Sequence, residues 1–203
     1  MDHDLARILV VGDSHCHGLD VVITDNYPNI QALSIARGKQ IQGVQLHLMN
    51  HLHIVRQFDP TLIIIHVGHN ELAHHESLNP HPLLSIPTAA STINLARQIQ
   101  ALFLNATIFL SAVLPRSVKI DSSMDEASTL RYNKVAKKHG QRIRTEARRA
   151  GFQHLINNCM WECISRAKED STLYKQDGLH LNPKGRTTLT ASWINAISTG
   201  ATA

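Results

Sequence analysis

The chain has 203 residues, a length that suits one domain with a sizeable hydrophobic core. Hydrophobic residues make up 43% and charged residues 18%, a balance that excludes an intrinsically disordered chain. The net charge is +4 with histidine counted as neutral, and no apolar run approaches the roughly 20 residues that span a bilayer.

Apolar runs alternate with amphipathic segments along the chain. The acidic N-terminus is unlike a secretory signal peptide and the three cysteines give no even disulfide framework, so we expect a cytoplasmic or otherwise intracellular protein. Strands are predicted at 7–11, 30–35, 61–67, 106–113 and 152–156. Helices are predicted at 42–58, 88–104, 125–150, 161–168 and 183–197, with a mixed segment at 20–29 and a loop over 73–86. This alternation predicts a parallel sheet covered by helices on both faces, in a single domain over residues 1–203.

Three polar segments stand where strands end or in loops that follow them. The first strand stops at Gly12-Asp13-Ser14-His15 and the third at Gly68-His69-Asn70-Glu71, while Asp177-Gly178-Leu179-His180 lies in a loop before the last helix. The carboxyl ends of parallel strands gather at one edge of a sheet, where open α/β folds bind their ligands. We therefore expect the three segments to converge there.

The residue types in these segments suit nucleophilic catalysis. A serine hydroxyl needs a base within hydrogen-bond reach, and the base needs a third group that orients it. Ser14 is the candidate nucleophile, His180 the candidate base and Asp177 its orienting acid. The candidate donors to a developing oxyanion are the backbone N–H groups of Ser14 and Gly38 and the side-chain amide of Asn70.

Taken together, these segments resemble the sequence blocks of the SGNH hydrolases, also called GDSL-type esterases and lipases. Gly12-Asp13-Ser14 matches the first block, with Ser14 as the implied nucleophile, and Gly38 fits the lone glycine of the second. Asn70 stands where the third block has its oxyanion donor. Asp177 and His180 match the Asp-x-x-His block, which supplies the acid and the base. The resemblance covers residues 7 to about 197.

The resemblance implies a fold and an activity. The fold is a flavodoxin-like αβα three-layer sandwich with a five-stranded parallel sheet. The implied activity is the hydrolysis of carboxylic esters through an acyl-enzyme, and no metal or cofactor is implied. Few aromatic residues, 4% of the chain, and a polar, histidine-rich segment at 73–81 favour short acyl groups or acetylated carbohydrate over large lipids. We expect a small-molecule ester as the partner.

Two positions depart from the family pattern. His15 replaces the leucine that usually follows the serine, and Glu71 stands where the family usually has aspartate. Neither change removes a catalytic atom. Gly43 competes with Gly38 for the second block, but Gly38 lies closer to the predicted strand end and is preferred.

The histidines raise the hypothesis of a metal site. His47 and His51 share a face of the predicted helix, with a spacing that can bind zinc. No acidic residue completes a His-Glu-x-x-His pattern, and His51 falls on the apolar face, where a packed histidine is the commoner explanation. We therefore expect no metal.

Residues 131–149 hold eight basic side chains and a single acid, Glu146. Such a cluster can follow a phosphate backbone, but Tyr132 is the only aromatic ring within it, which favours the solvated outer face of a helix. Nucleic acid therefore stays an accessory partner that we do not favour. The alternative to an enzyme is a weak or inactive domain of the same fold with a binding or nucleic-acid-associated role, for example within a mobile genetic element.

Overall fold

The structure is a computed structural model and describes residues 5–38, 40–76, 85–117, 125–166 and 173–200. Its five strands are β1 (Ala6–Gly12), β2 (Ile30–Ala36), β3 (Leu62–His66), β4 (Thr107–Ser111) and β5 (Gln153–Leu155). They form one parallel sheet in the order β2-β1-β3-β4-β5. From β1, the chain adds β2 on one side and then β3, β4 and β5 on the other. The predicted five-stranded parallel sheet is confirmed.

The helices cover both faces of this sheet. Their bounds are α1 (Leu19–Asn26), α2 (Ile41–Asn50), α3 (Leu52–Phe58), α4 (His69–Glu76), α5 (Ser85–Leu102), α6 (Glu126–Ala150), α7 (Asn158–Arg166) and α8 (Pro183–Thr199). Leu9 and Val11 of β1 face a core shared with α2, α3, α5 and α6, while Ile8 and Val10 face a core shared with α1, α7 and α8. Successive side chains of a strand point to opposite faces of the sheet. Because both faces are buried here, every residue in the middle of β1 is apolar.

Three sequence predictions need correction. The predicted helix 42–58 is interrupted at His51, whose ring Nδ1 donates to the His47 carbonyl at 2.8 Å, so that a side chain replaces the backbone donor there. The mixed segment 20–29 is mostly the helix α1. The predicted loop 73–86 is too long, because α4 continues to Glu76 and α5 begins at Ser85; residues 77–84 lie outside the described residues.

The other helix bounds shift by a few residues. Helix α5 begins three residues before the prediction, with Pro87 in its first turn, where the missing N–H of proline costs no helical hydrogen bond. Helix α7 begins at Asn158 instead of 161, and residues 167 and 168 of that prediction lie outside the described ranges. Across the part of the chain that the structure describes, no helix combines the length and the apolar character needed to cross a bilayer.

Candidate active site

Ser14 lies in the first turn beyond β1, which lies between β2 and β3 in the sheet. The chain turns sharply there into a short 3-10 helix, Ser14–Cys16, and the Asp13 backbone N–H donates to the His66 carbonyl at the end of β3. A Cβ atom at Gly12 would overlap both the Cys16 thiol and the His66 carbonyl. Only glycine therefore fits at the last residue of β1, and the close approach of β3 that it permits places Ser14 at the crevice.

The structure brings Ser14, His180 and Asp177 together in one chain of hydrogen bonds. His180 Nε2 lies 3.1 Å from Ser14 Oγ, and His180 Nδ1 lies 2.7 Å from Asp177 Oδ2. The other oxygen of Asp177 accepts from the backbone N–H groups of Leu179 and His180, at 2.9 and 2.8 Å. The carboxylate thus stabilises the loop that carries it and also orients the imidazole of His180.

These contacts assign the protons. A carboxylate only accepts, so Nδ1 of His180 carries the ring proton and Nε2 presents its lone pair to the Ser14 hydroxyl. Partial burial by itself would raise the pKa of Asp177, but the hydrogen bonds from the His180 ring and from the loop backbone lower that pKa overall. The arrangement can move a proton from the Ser14 hydroxyl to His180.

Gly38 and Asn70 lie at the same edge of the sheet. The loop after β2 is tied to β1 by the Arg37 backbone N–H, which donates to the Gly12 carbonyl at 3.0 Å. A Cβ atom at Gly38 would lie 3.6 Å from Ser14 Cβ, so the Gly38 backbone lies next to the serine. Gly43, the competing glycine, lies inside α2. Asn70 is half-buried in the first turn of α4, beyond β3, the strand beside β1.

Glu71 connects α4 to the start of α2. Its Oε1 accepts from the backbone N–H of Ile41, the first residue of α2, whose N-cap Gln40 makes no side-chain capping bond. Burial raises the pKa of Glu71 above its ordinary value, and the Ile41 N–H opposes that rise. A glutamate from a neighbouring helix thus satisfies one of the free donors at the N-terminus of α2, just beyond the Gly38 loop.

A second network lies behind Ser14, and sequence reasoning missed it. It consists of the buried side chains of Asp13, His15 and His69. Asp13 Oδ1 accepts from the backbone N–H of His15 at 3.1 Å and from its Nδ1 at 2.9 Å, while Oδ2 accepts from His69 Nδ1 at 2.9 Å. On its far side, His15 Nε2 lies 3.1 Å from the carbonyl of Leu179. The signal in the sequence was the histidine at position 15.

The partners of each ring nitrogen decide the charges in this network. His69 Nε2 accepts the Leu114 backbone N–H at 2.8 Å, so this ring is neutral with its proton on Nδ1. Burial and the nearby His15 lower the pKa of His69 to about 4. Both nitrogens of His15 face acceptors, the Asp13 carboxylate on one side and the Leu179 carbonyl on the other.

Asp13 is the acceptor that His15 and His69 share. Burial would raise the pKa of Asp13, but His69 and His15 together hold it well below its ordinary value. The result is a buried, hydrogen-bonded Asp13–His15 pair that contacts, through Leu179, the loop carrying Asp177 and His180. The ring of His15 also stacks on that of His180, with 5.4 Å between the ring centroids.

The same three residues have the composition of a metal site. Within the described ranges, Asp13, His15 and His69 are the group whose ligand atoms all lie within 4.8 Å of one another. Hydrogen bonding explains the group better, because His69 uses its one lone pair to accept from Leu114 and offers a proton, not a lone pair, to Asp13. The other candidate pair is His47 and His51, whose ring centroids are 4.3 Å apart; there Nδ1 of His51 is occupied by a backbone carbonyl.

No family model and no curated protein matches the sequence, whereas solved structures match it over almost its whole length. A GDSL-like lipase from Bacteroides thetaiotaomicron superposes with a TM-score of 0.67 at 18% identity, over 96% of this chain and 88% of that one. An acetyl xylan esterase gives 0.69 at 14% identity, over 94% and 99%. A lipase/acylhydrolase from Enterococcus faecalis gives 0.65 at 13% identity, over 96% of both chains. The chain therefore has the αβα fold of the GDSL-like lipases and acylhydrolases.

Proposed function

We propose that this protein is a serine esterase that hydrolyses carboxylic esters with short acyl or acetyl groups. The observation that carries the proposal is the hydrogen-bonded chain from Ser14 Oγ through His180 to Asp177, at the carboxyl edge of the sheet. Such a chain meets the requirements of an activated serine, namely a base within reach and an acid that holds the base in one tautomer.

In the proposed mechanism, His180 Nε2 takes the proton of the Ser14 hydroxyl as Oγ attacks the ester carbonyl carbon. The negative oxygen of the tetrahedral intermediate accepts from the backbone N–H groups of Ser14 and Gly38 and from the Asn70 amide. His180 then gives its proton to the leaving alcohol, and the acyl group stays on Ser14. A water molecule, deprotonated by His180, attacks this acyl-enzyme and releases the acid, which restores the serine.

Two features support this assignment over an inactive binding domain. Each residue that the mechanism needs is present, and the Asp177 carboxylate is fixed by two backbone donors, so the base is oriented before substrate arrives. The names of the structural neighbours, which include lipases, acylhydrolases and an acetyl xylan esterase, agree with ester hydrolysis. The acetyl xylan esterase supports acetylated carbohydrate as a substrate to try.

The test is the hydrolysis of p-nitrophenyl acetate and p-nitrophenyl butyrate by the wild type and by Ser14→Ala. We expect the variant to lose on the order of 10³-fold or more in kcat/KM, because removal of a triad nucleophile leaves only the oxyanion donors and binding. Ser198→Ala, at an exposed position on α8, is the matched control and should behave as the wild type. Equal rates for Ser14→Ala and the wild type would overturn the proposal and favour the inactive binding domain.

A further inference from the structure

A cavity of about 250 Å³ opens beside Ser14, and its lining is rich in positive charge. The residues that line it are Ser14, His15, His17, Lys175, His180, Leu181 and Arg186. Two of these side chains, Lys175 and Arg186, are cations, and His17 is an exposed histidine. None of the seven lining residues is an aspartate or a glutamate. This composition suits a ligand that carries a negatively charged group.

The fold holds both cations next to the reacting groups. Lys175 faces His180 across a tight loop, because its backbone N–H donates to the His180 carbonyl at 2.8 Å and its carbonyl accepts from Gly178 at 3.0 Å. Arg186 is half-buried in the first turn of α8, the helix that begins three residues after His180. Its Nη1 lies 3.2 Å from the position a Cβ would take at Gly18, so the guanidinium rests against the turn that follows the nucleophile.

The nearby acids are already committed to other partners. Both oxygens of Asp177 are bound by the His180 ring and by the loop backbone, and both oxygens of Asp13 are bound by His15 and His69. Neither Lys175 nor Arg186 has a carboxylate oxygen within 4.0 Å among the described residues. The cavity therefore presents positive charge that a ligand can neutralise.

We propose that the ester substrate is an anion, with a carboxylate that Arg186 and Lys175 bind while Ser14 attacks the ester carbonyl. The proposal rests on the proposed function, since it assigns a substrate class to the same site. Arg186 suits the task because a guanidinium fork binds a carboxylate through two parallel hydrogen bonds, and Lys175 adds a mobile point charge. The carboxylate belongs either to the acyl part or to the alcohol part of the ester.

The experiment compares kcat/KM for matched anionic and neutral esters. One arm places the carboxylate in the alcohol part and uses 4-acetoxybenzoate and its methyl ester. The other arm places it in the acyl part and uses the p-nitrophenyl monoester of adipate and p-nitrophenyl hexanoate. The readout is the ratio of anionic to neutral kcat/KM in each pair, so that differences in leaving group cancel between the wild type and a variant.

We expect Arg186→Gln and Lys175→Gln each to lower this ratio by about tenfold in at least one arm, the size of one charge-assisted hydrogen bond. Lys138→Gln, at an exposed position on α6, is the control and should leave both ratios unchanged. Ratios that stay at the wild-type value in both arms for both variants would overturn the anionic substrate. If the wild type still hydrolyses the neutral esters and Ser14→Ala does not, the esterase proposal stands without the anionic substrate. A wild type that hydrolyses none of the four esters would overturn both proposals.

Discussion

His15 links two parts of the candidate site that are 164 residues apart in the sequence. One of its ring nitrogens is bound to Asp13, next to Ser14, and the other to the Leu179 carbonyl, next to His180. A leucine at this position could make neither bond. In this chain the buried Asp13–His15 pair therefore holds the Asp177–His180 loop against the turn that carries Ser14.

Two substitutions at position 15 separate these bonds. The side-chain amide of asparagine takes the place of Nδ1, so His15→Asn keeps a donor to Asp13 and loses the bond to Leu179. The longer His15→Gln places its amide near the position of Nε2 and retains that bond instead. We expect His15→Asn to lower kcat by about 10- to 100-fold with little change in KM, because small misplacement of a catalytic group costs rate, and His15→Gln to lose less.

Hydrogen exchange of the Leu179 and His180 amides measures the same effect without activity. Both amides donate to Asp177, so exchange should be faster in His15→Asn than in His15→Gln. His53→Leu, an exposed histidine on α3, is the control. Wild-type kcat together with wild-type exchange in His15→Asn would contradict this role of His15.

Asn70 is the side-chain donor that we propose for the oxyanion. Asn70→Ala removes one donor to the negative oxygen of the tetrahedral intermediate and should lower kcat by about 10²- to 10³-fold, with a smaller effect on KM. Asn195→Ala, at an exposed position on α8, should retain full activity. A folded Asn70→Ala protein, checked by its melting temperature, with the kcat of the wild type would exclude Asn70 from the oxyanion site.

The sequence could predict that Ser14, Asp177 and His180 come together, because each stands in a short local pattern. It could not predict the pairing of Asp13 with His69, 56 residues away, because that contact depends on the register of β1 with β3. The register places Gly12 opposite His66, and the turns that follow the two strands then meet.

Glu71 joins the two helices α4 and α2. Glu71→Ala leaves the buried N–H of Ile41 without its acceptor and should reduce the free energy of unfolding by about 1–3 kcal/mol. Glu71→Gln keeps an amide oxygen as acceptor and should be close to the wild type. Urea unfolding measures both variants. Glu146→Ala, which breaks an exposed ion pair with Arg149, is the control and should cost less than about 1 kcal/mol. Equal stability of Glu71→Ala and Glu71→Gln would count against the cap.

Strands were more predictable than helix ends. The strands are continuous apolar runs, because both faces of the sheet are covered, and their predicted centres agree with the structure. The end of α2 depends instead on a side-chain bond from His51 to a backbone carbonyl, and periodicity carries no information about such a bond.

For the whole molecule, buried histidines couple stability to pH. Burial is the largest cause of a lowered pKa at His66, at His69 (to about 4), at His139 (to about 3) and at His154 (to about 4). Their ordinary pKa of 6.5 applies in the unfolded chain. Below that pH the unfolded state binds more protons than the folded state, so acidification favours unfolding.

We therefore expect the melting temperature to fall steadily as the pH drops below about 6.5, with each such histidine contributing up to about 1.4 kcal/mol per pH unit. Asp13 also contributes to stability, because folding lowers its pKa. This contribution is complete above the ordinary pKa of 3.8 and is lost only at lower pH, so it is separate from the effect of the histidines. Neither ring nitrogen of His139 has a partner among the described residues. His139→Leu should accordingly reduce the slope of stability against pH. A melting temperature that is constant between about pH 7 and about pH 5 would contradict this account.

In the proposed mechanism, Ser14 is a nucleophile that His180 activates. Incubation with a fluorophosphonate tests it most directly, because an activated serine Oγ attacks the phosphorus and displaces fluoride. Mass spectrometry of the labelled chain should show one adduct, on the peptide that contains Ser14. The adduct should be absent in Ser14→Ala and should form far more slowly in His180→Gln. An unlabelled wild-type chain, or the same labelling in Ser14→Ala, would contradict the account.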